Sequence, residues 1–123
     1  MLDFSEEIWY ALTTMTYVPR QIEPLLKKMV GQFPAVAVTG PRQCGKTTFL
    51  KTLAWKGKPV TFENLDLSAR RRSAESSPEA FLKSVDVFPL VIDEVQKAPS
   101  LFDEIKATVD EKRIPGRYVL SGS

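Results

Sequence analysis

One segment constrains this chain more than any other: Gly40-Pro-Arg-Gln-Cys-Gly45-Lys46-Thr47, which follows directly on the short apolar run Ala35-Val-Ala-Val-Thr39. An apolar run of that length reads as a strand buried on both faces, the habit of parallel sheets. The stretch after it, Thr47 to Trp55, carries Phe49, Leu50, Leu53 and Ala54 at helical spacing. The segment is therefore a strand-to-helix turn, and it fits G-x-x-x-x-G-K-[ST] at every specified position. Glycine at both ends lets the backbone wrap closely, turning successive N–H groups inward, and the helix N-terminus adds its positive dipole. Such a loop is a cradle for phosphate oxygens. The candidate binding residues are Gly40, Pro41, Arg42, Gln43, Cys44, Gly45, Lys46, Thr47 and Thr48. Lys46 would reach the β- and γ-phosphates, and the Thr47 hydroxyl would hold Mg²⁺. An ordinary glycine-rich turn with a capping threonine is the bland alternative, and it leaves the matching flanks unexplained.

Composition narrows the chemistry further. The 123 residues suffice for one compact domain, and 43% hydrophobic with 26% charged residues is a soluble globular mixture. With no histidine, Ser-His-Asp triads, Cys-His pairs and H-E-x-x-H metal sites are impossible within this chain. The single cysteine permits neither an internal disulfide nor a four-cysteine zinc site. Carboxylates, hydroxyls, lysine, arginine and backbone amides remain. Seventeen basic residues against 15 acidic ones is too even a balance to imply a protein that coats nucleic acid. No apolar run approaches the ~20 residues of a membrane-spanning helix, and the start Met1-Leu-Asp-Phe-Ser-Glu-Glu7 is acidic, unlike a secretory signal. The simplest expectation is a cytoplasmic chain without a membrane partner.

The rest of the chain alternates strands and helices. Residues 1–16 show no clean period and stay undetermined. From Gln21, the positions Ile22, Leu25, Leu26, Met29 and Val30 follow one helical face, with Pro24 in an irregular first turn and Gly31 as C-terminal cap. Val60 to Leu65 reads as a second strand. Leu67 to Val85 reads as a helix in two pieces, broken where Ser77-Pro78 offers a cap and a first-turn proline. Phe88 to Ile92 is a third strand. Ser100 and Asp103 resemble a capping box for a helix that turns Leu101, Phe102, Ile105 and Val109 to the core. Ile114-Pro-Gly116 turns the chain, and Arg117 to Leu120 is a fourth strand. The alternation predicts a three-layer α/β fold with a mainly parallel sheet.

A second motif joins the first. Leu90-Val-Ile-Asp93-Glu94 puts two carboxylates just past a buried apolar strand. Ligands of open parallel sheets bind at the carboxyl ends of strands, so these acids and the phosphate loop should converge. Asp93 would hold Mg²⁺, directly or through water. Glu94 is the candidate to orient and deprotonate an attacking water.

Strand order refines the subclass. A strand between the phosphate-loop strand and the Asp-Glu strand, with a further one after, resembles the branch of P-loop NTPases with a catalytic glutamate, as in AAA-type ATPases. Further residues sharpen this: Tyr17-Val-Pro-Arg20, Phe33-Pro-Ala-Val36, Val91-Ile-Asp-Glu-Val-Gln-Lys-Ala-Pro99, Leu101-Phe102, Ile105-Lys106, Val109-Asp110-Glu111 and Gly116-Arg-Tyr-Val-Leu-Ser-Gly-Ser123. Together with the phosphate loop they are similar to the AAA-domain ATPases whose C-terminal half is a domain of unknown function. The resemblance runs from about Tyr17 to Ser123 and implies a partial AAA-type P-loop domain over 17–123, with ATP and Mg²⁺ as ligands.

It also implies that the fourth strand inserts between the first and third and ends in a polar sensor of the γ-phosphate, here Ser121 or Ser123. Longer members continue into a fifth strand, an arginine-bearing region and the second domain. On that pattern four strands are present and the fifth is missing, which would leave Ala35 to Thr39 as an exposed apolar edge. Hydrolysis by this chain alone is then expected to be weak or absent, with the missing C-terminal domain or another protein as partner. A non-hydrolysing, nucleotide-gated interaction module and a non-functional truncated product remain as alternatives.

Weaker signals have bland readings beside the sharp ones. Cys44 fills a variable loop position unless the helix dipole activates it. Arg70-Arg-Arg72 reads as a solvated helix face before it reads as a contact for a partner. Tyr17 to Arg20 suits a core anchor as well as a lid over adenine. Gln96 could touch the attacking water, yet surface placement after the strand is favoured. Trp9 and Trp55 read as packing residues.

Overall fold

A computed structural model of the chain describes residues 9–13, 19–39, 50 and 58–122. The described elements are β1 (Trp9–Thr13), α1 (Pro19–Gln32), β2 (Ala35–Thr39), β3 (Thr61–Asn64), α2 (Ser68–Ser76), α3 (Pro78–Lys83), β4 (Leu90–Asp93), a 3-10 turn (Val95–Lys97), α4 (Pro99–Glu111) and β5 (Tyr118–Gly122). The strands form one five-stranded sheet in the order β1-β2-β5-β4-β3, with every neighbouring pair parallel. All four predicted strands are present, and β5 inserts between β2 and β4 as expected.

The exposed edge at Ala35 to Thr39 is not there. β1 lies along β2 in parallel register, from Trp9 opposite Ala35 to Thr13 opposite Thr39. A strand drawn from the lead-in satisfies the outer row of β2 backbone groups, which would otherwise be open to pairing with another chain.

Pleating assigns the core. Leu90 and Ile92 of β4, and Tyr118 and Leu120 of β5, turn to one face and pack with Ala74, Phe81, Leu101, Phe102, Ile105 and Val109 from α2, α3 and α4. Val36, Val38, Val91 and Val119 turn to the other face and pack with Leu26 of α1 and with Leu50. Each fully buried side chain of this size contributes roughly 1.5–3 kcal/mol. Two apolar layers around one sheet give the three-layer α/β fold.

The helix ends depart from the local sequence signals. Helix α1 contains Pro24 and runs through Gly31 to Gln32, and the Phe33 amide then donates to the Met29 carbonyl at 2.9 Å. Ser77 stands before Pro78 without a side-chain cap bond. The Ser100–Asp103 capping box does not form: Pro99 opens α4 after Ala98, and the Ser100 amide donates instead to Glu75 Oε1 of α2 at 2.8 Å. A carboxylate from a neighbouring helix thus replaces the local cap and couples α2 to α4. At the far end of the sheet, Gly116 takes φ 80°, and its amide reaches the Phe33 carbonyl at 3.2 Å, which brings β5 beside β2.

Candidate functional site

Residues Gly40 to Thr48 and Ser123 lie outside the described residues, as do Tyr17 and Trp55. What surrounds them is described. Strand β2 ends at Thr39, immediately before Gly40, and register places Val38 opposite Ser121 and Thr39 opposite Gly122. Strand β4 ends at Asp93. The carboxyl ends of β2, β5 and β4 therefore stand side by side, with the chain leaving β2 toward the glycine loop at that end.

Alternation along these strands decides which side chains share a face. Asp93 follows Val91 by two residues and Ser121 follows Val119 by two, so both point to the face on which Leu50 packs. Leu50, the third residue after Thr47, packs on the same face as Val91 and Val119 and so on the face that carries Asp93 and Ser121. Asp93 is 3% exposed, Glu94 4% and Ser121 1%. They are the buried polar and charged residues among those described, and all three stand at this end of the sheet. The Ser121 hydroxyl is buried with no hydrogen-bond partner among the described residues. Such an orphan costs about 1–3 kcal/mol in a closed protein.

Glu94 is held in an unusual conformation. Its φ of 58° and ψ of 44° are left-handed, the one positive φ outside glycine among the described residues. For a residue with a Cβ this costs roughly 1–2 kcal/mol. Bonds on both sides of it bear on this conformation. The Glu94 amide donates to Asp93 Oδ1 at 3.0 Å, the Glu94 carbonyl accepts from the Lys97 amide at 3.0 Å, and Glu94 Oε1 accepts from Gln96 Nε2 at 3.0 Å. Backbone strain held by surrounding bonds is the habit of functional positions.

Gln96 is a correction to the expected surface placement. It is half-buried, its amide nitrogen is bonded to Glu94, and its Oε1 is buried with no partner among the described residues. Sequence pattern alone gave little sign of this, because the contact depends on the left-handed turn at Glu94. Of the arginine triplet, Arg72 is exposed as predicted, while Arg70 makes a two-pronged contact with Glu63 of β3 at 2.8 and 2.9 Å and Arg71 donates to the Leu65 carbonyl at 3.4 Å. Glu63 pushes the Arg70 guanidinium further above its ordinary value. Lys97 pairs with Asp66, and Asn64 Oδ1 accepts from the Asp66 amide at 3.0 Å, tying the end of β3 to the 3-10 turn.

Two clefts of about 500 Å³ lie away from this cluster, one lined by Lys27, Val30, Phe88 and Pro89, the other by Leu82, Phe88, Glu104 and Tyr118. Neither includes a predicted site residue, so cleft volume does not point to the acids. Among the described residues no helix is long and apolar enough to cross a membrane.

The family model of the AAA domain matches residues 32–123. The chain belongs to the AAA domain family. Members of this P-loop ATPase-like class bind nucleotide, and the parallel sheet with buried acids at its carboxyl end is the matching frame. The chain is also 30% identical over 112 residues to an uncharacterized protein of Mycobacterium bovis and, equally, to one of Mycobacterium tuberculosis. Each match takes in 91% of this chain and 25% of the relative, so the chain spans a quarter of the length of these curated relatives. No solved structure matches the chain.

Proposed function

We propose that this AAA domain binds Mg²⁺-ATP at the carboxyl ends of β2, β5 and β4 and, weakly when on its own, hydrolyses it to ADP and phosphate. The observation that carries the reading is the gathering of buried Asp93, Glu94 and Ser121 beside the point where β2 leads into Gly40-Pro-Arg-Gln-Cys-Gly-Lys-Thr47. In this reading the loop amides and Lys46 bind the β- and γ-phosphates. Ser121, with its unpartnered hydroxyl, donates to a γ-phosphate oxygen, a role Ser123 would share.

The donors suit magnesium. Among the described residues no group of three or more His, Cys, Asp or Glu could hold a metal, and Mg²⁺ characteristically takes one or two protein ligands with the rest from phosphates and water. Asp93 and Thr47 would hold it. When bound, it supplies neutralisation of phosphate charge. Glu94 accepts a proton from water as the water oxygen bonds to the γ-phosphorus. The bond from that phosphorus to the β–γ bridging oxygen breaks, and ADP leaves with the electron pair.

Single-turnover hydrolysis, with protein in excess over ATP, tests the reaction. Wild type is expected to release phosphate, and Glu94→Gln to bind ATP while releasing it about 10²- to 10⁴-fold more slowly. Wild-type binding with no phosphate release would make the domain a nucleotide-gated interaction module instead.

A further inference from the structure

We propose that Gln96 is a positioning residue whose amide holds the Glu94 carboxylate in its working orientation, and that Gly122 is kept without a side chain to leave room for it. The proposal rests on the nucleotide reading above. It adds a residue that binds neither phosphate nor metal in that reading.

The arrangement begins at the end of β4. Glu94 turns left-handed, which sends the chain into the 3-10 turn Val95–Lys97 and not onward as a strand. Val95 and Ala98 are buried on the α4 side of the sheet, so the turn is anchored there and Gln96 lies between two fixed residues. From that position Nε2 donates to Glu94 Oε1 at 3.0 Å. The same amide presses Oε1 against β5: a Cβ built on Gly122 would meet it at 2.6 Å. Gly122 follows Leu120 by two residues and so turns to the same face as Val95 and Ala98.

The amide's orientation is informative. Its Oε1 is buried with no partner among the described residues, so the side chain does not satisfy itself in this pose. Turning the amide over would place Oε1 against the Glu94 carboxylate and forfeit the charge-assisted bond. The orientation therefore serves Glu94. A general base needs its carboxylate aimed before the reaction, and a strained backbone alone does not set its side-chain torsions.

The test compares wild type, Gln96→Met, Gly122→Ala and Lys46→Ala for ATP affinity, affinity for ADP with aluminium fluoride, and single-turnover phosphate release. Methionine fills the glutamine's space and removes the hydrogen bond, so a packing role would survive it. Gln96→Met is expected to lower the phosphate-release rate and the ADP–aluminium fluoride affinity about 10- to 100-fold, the range for a bond to a charged group. ATP affinity is expected to stay within about threefold. Gly122→Ala should shift the same quantities in the same direction, with Gln96 itself intact. Gln96→Met matching wild type in both affinities and in rate would overturn the proposal while leaving the nucleotide reading in place, provided that Lys46→Ala binds ATP more weakly than wild type. If Lys46→Ala binds ATP as wild type does, the nucleotide reading fails and the proposal with it; if wild type binds ATP but gains no affinity from aluminium fluoride and releases no phosphate, the proposal fails while nucleotide binding stands.

Discussion

The two ends of the parallel sheet are finished in opposite ways. At the amino ends of β4 and β5, backbone and aromatic groups close on each other. The Leu90 amide donates to the Arg117 carbonyl at 2.7 Å and the Tyr118 amide to the Pro34 carbonyl at 3.0 Å. Arg117 lies 4.0 Å over the Phe88 ring, which meets Tyr118 edge-on at 6.1 Å. At the carboxyl ends, Asp93, Glu94 and Ser121 are buried, Glu94 is left-handed, and the Ser121 hydroxyl and Gln96 Oε1 lack partners among the described residues. One end is built as a core is built. The other leaves buried polar atoms unmatched and a residue strained, the pattern expected where function and local optimisation conflict.

Substitutions at the two ends should therefore separate stability from activity. The largest effect belongs to Glu94→Gln, whose phosphate release falls about 10²- to 10⁴-fold while its denaturant midpoint stays at or above that of wild type. A parallel loss of stability would break the contrast. Leu90→Ala, at the amino end of β4, removes a fully buried side chain and should cost about 2–5 kcal/mol in urea unfolding with little direct effect on the acids. Ser121→Ala removes the orphaned hydroxyl. Phosphate release is expected to fall roughly tenfold, and unfolding of the ligand-free chain to shift by no more than about 1 kcal/mol, toward greater stability. The smallest expected change in stability belongs to Glu94→Asn, which loses turnover as Glu94→Gln does: the left-handed turn favours Asn while its shorter side chain gives up the bond from Gln96, so unfolding should shift by no more than about 1 kcal/mol. A lower stability for Ser121→Ala would mean that this end is as well satisfied as the other.

Much of this frame was legible in the residues. Ala35 to Thr39, Leu90 to Ile92 and the Leu101, Phe102, Ile105, Val109 stripe behave as their patterns predict, because burial sets those patterns directly. The strand order followed from the resemblance and is present in the sheet. What stayed hidden depends on partners distant in sequence. Trp9–Thr13 is too short to show a period, and only the open edge of β2 makes it a strand. The start of α4 carries a local capping signal that loses to Glu75, a residue on another helix. Gln96 looks like any polar residue after a strand until the left-handed Glu94 folds it back.

The most direct test of the central claim is a calorimetric titration of ATP with Mg²⁺ into wild type and Lys46→Ala. Saturable one-site binding to wild type, weakened about 10- to 100-fold by loss of the charged lysine contact with the unfolding temperature unchanged, is the predicted result. Equal binding to both proteins, or no binding to wild type, would contradict a nucleotide site at the carboxyl ends of β2, β5 and β4.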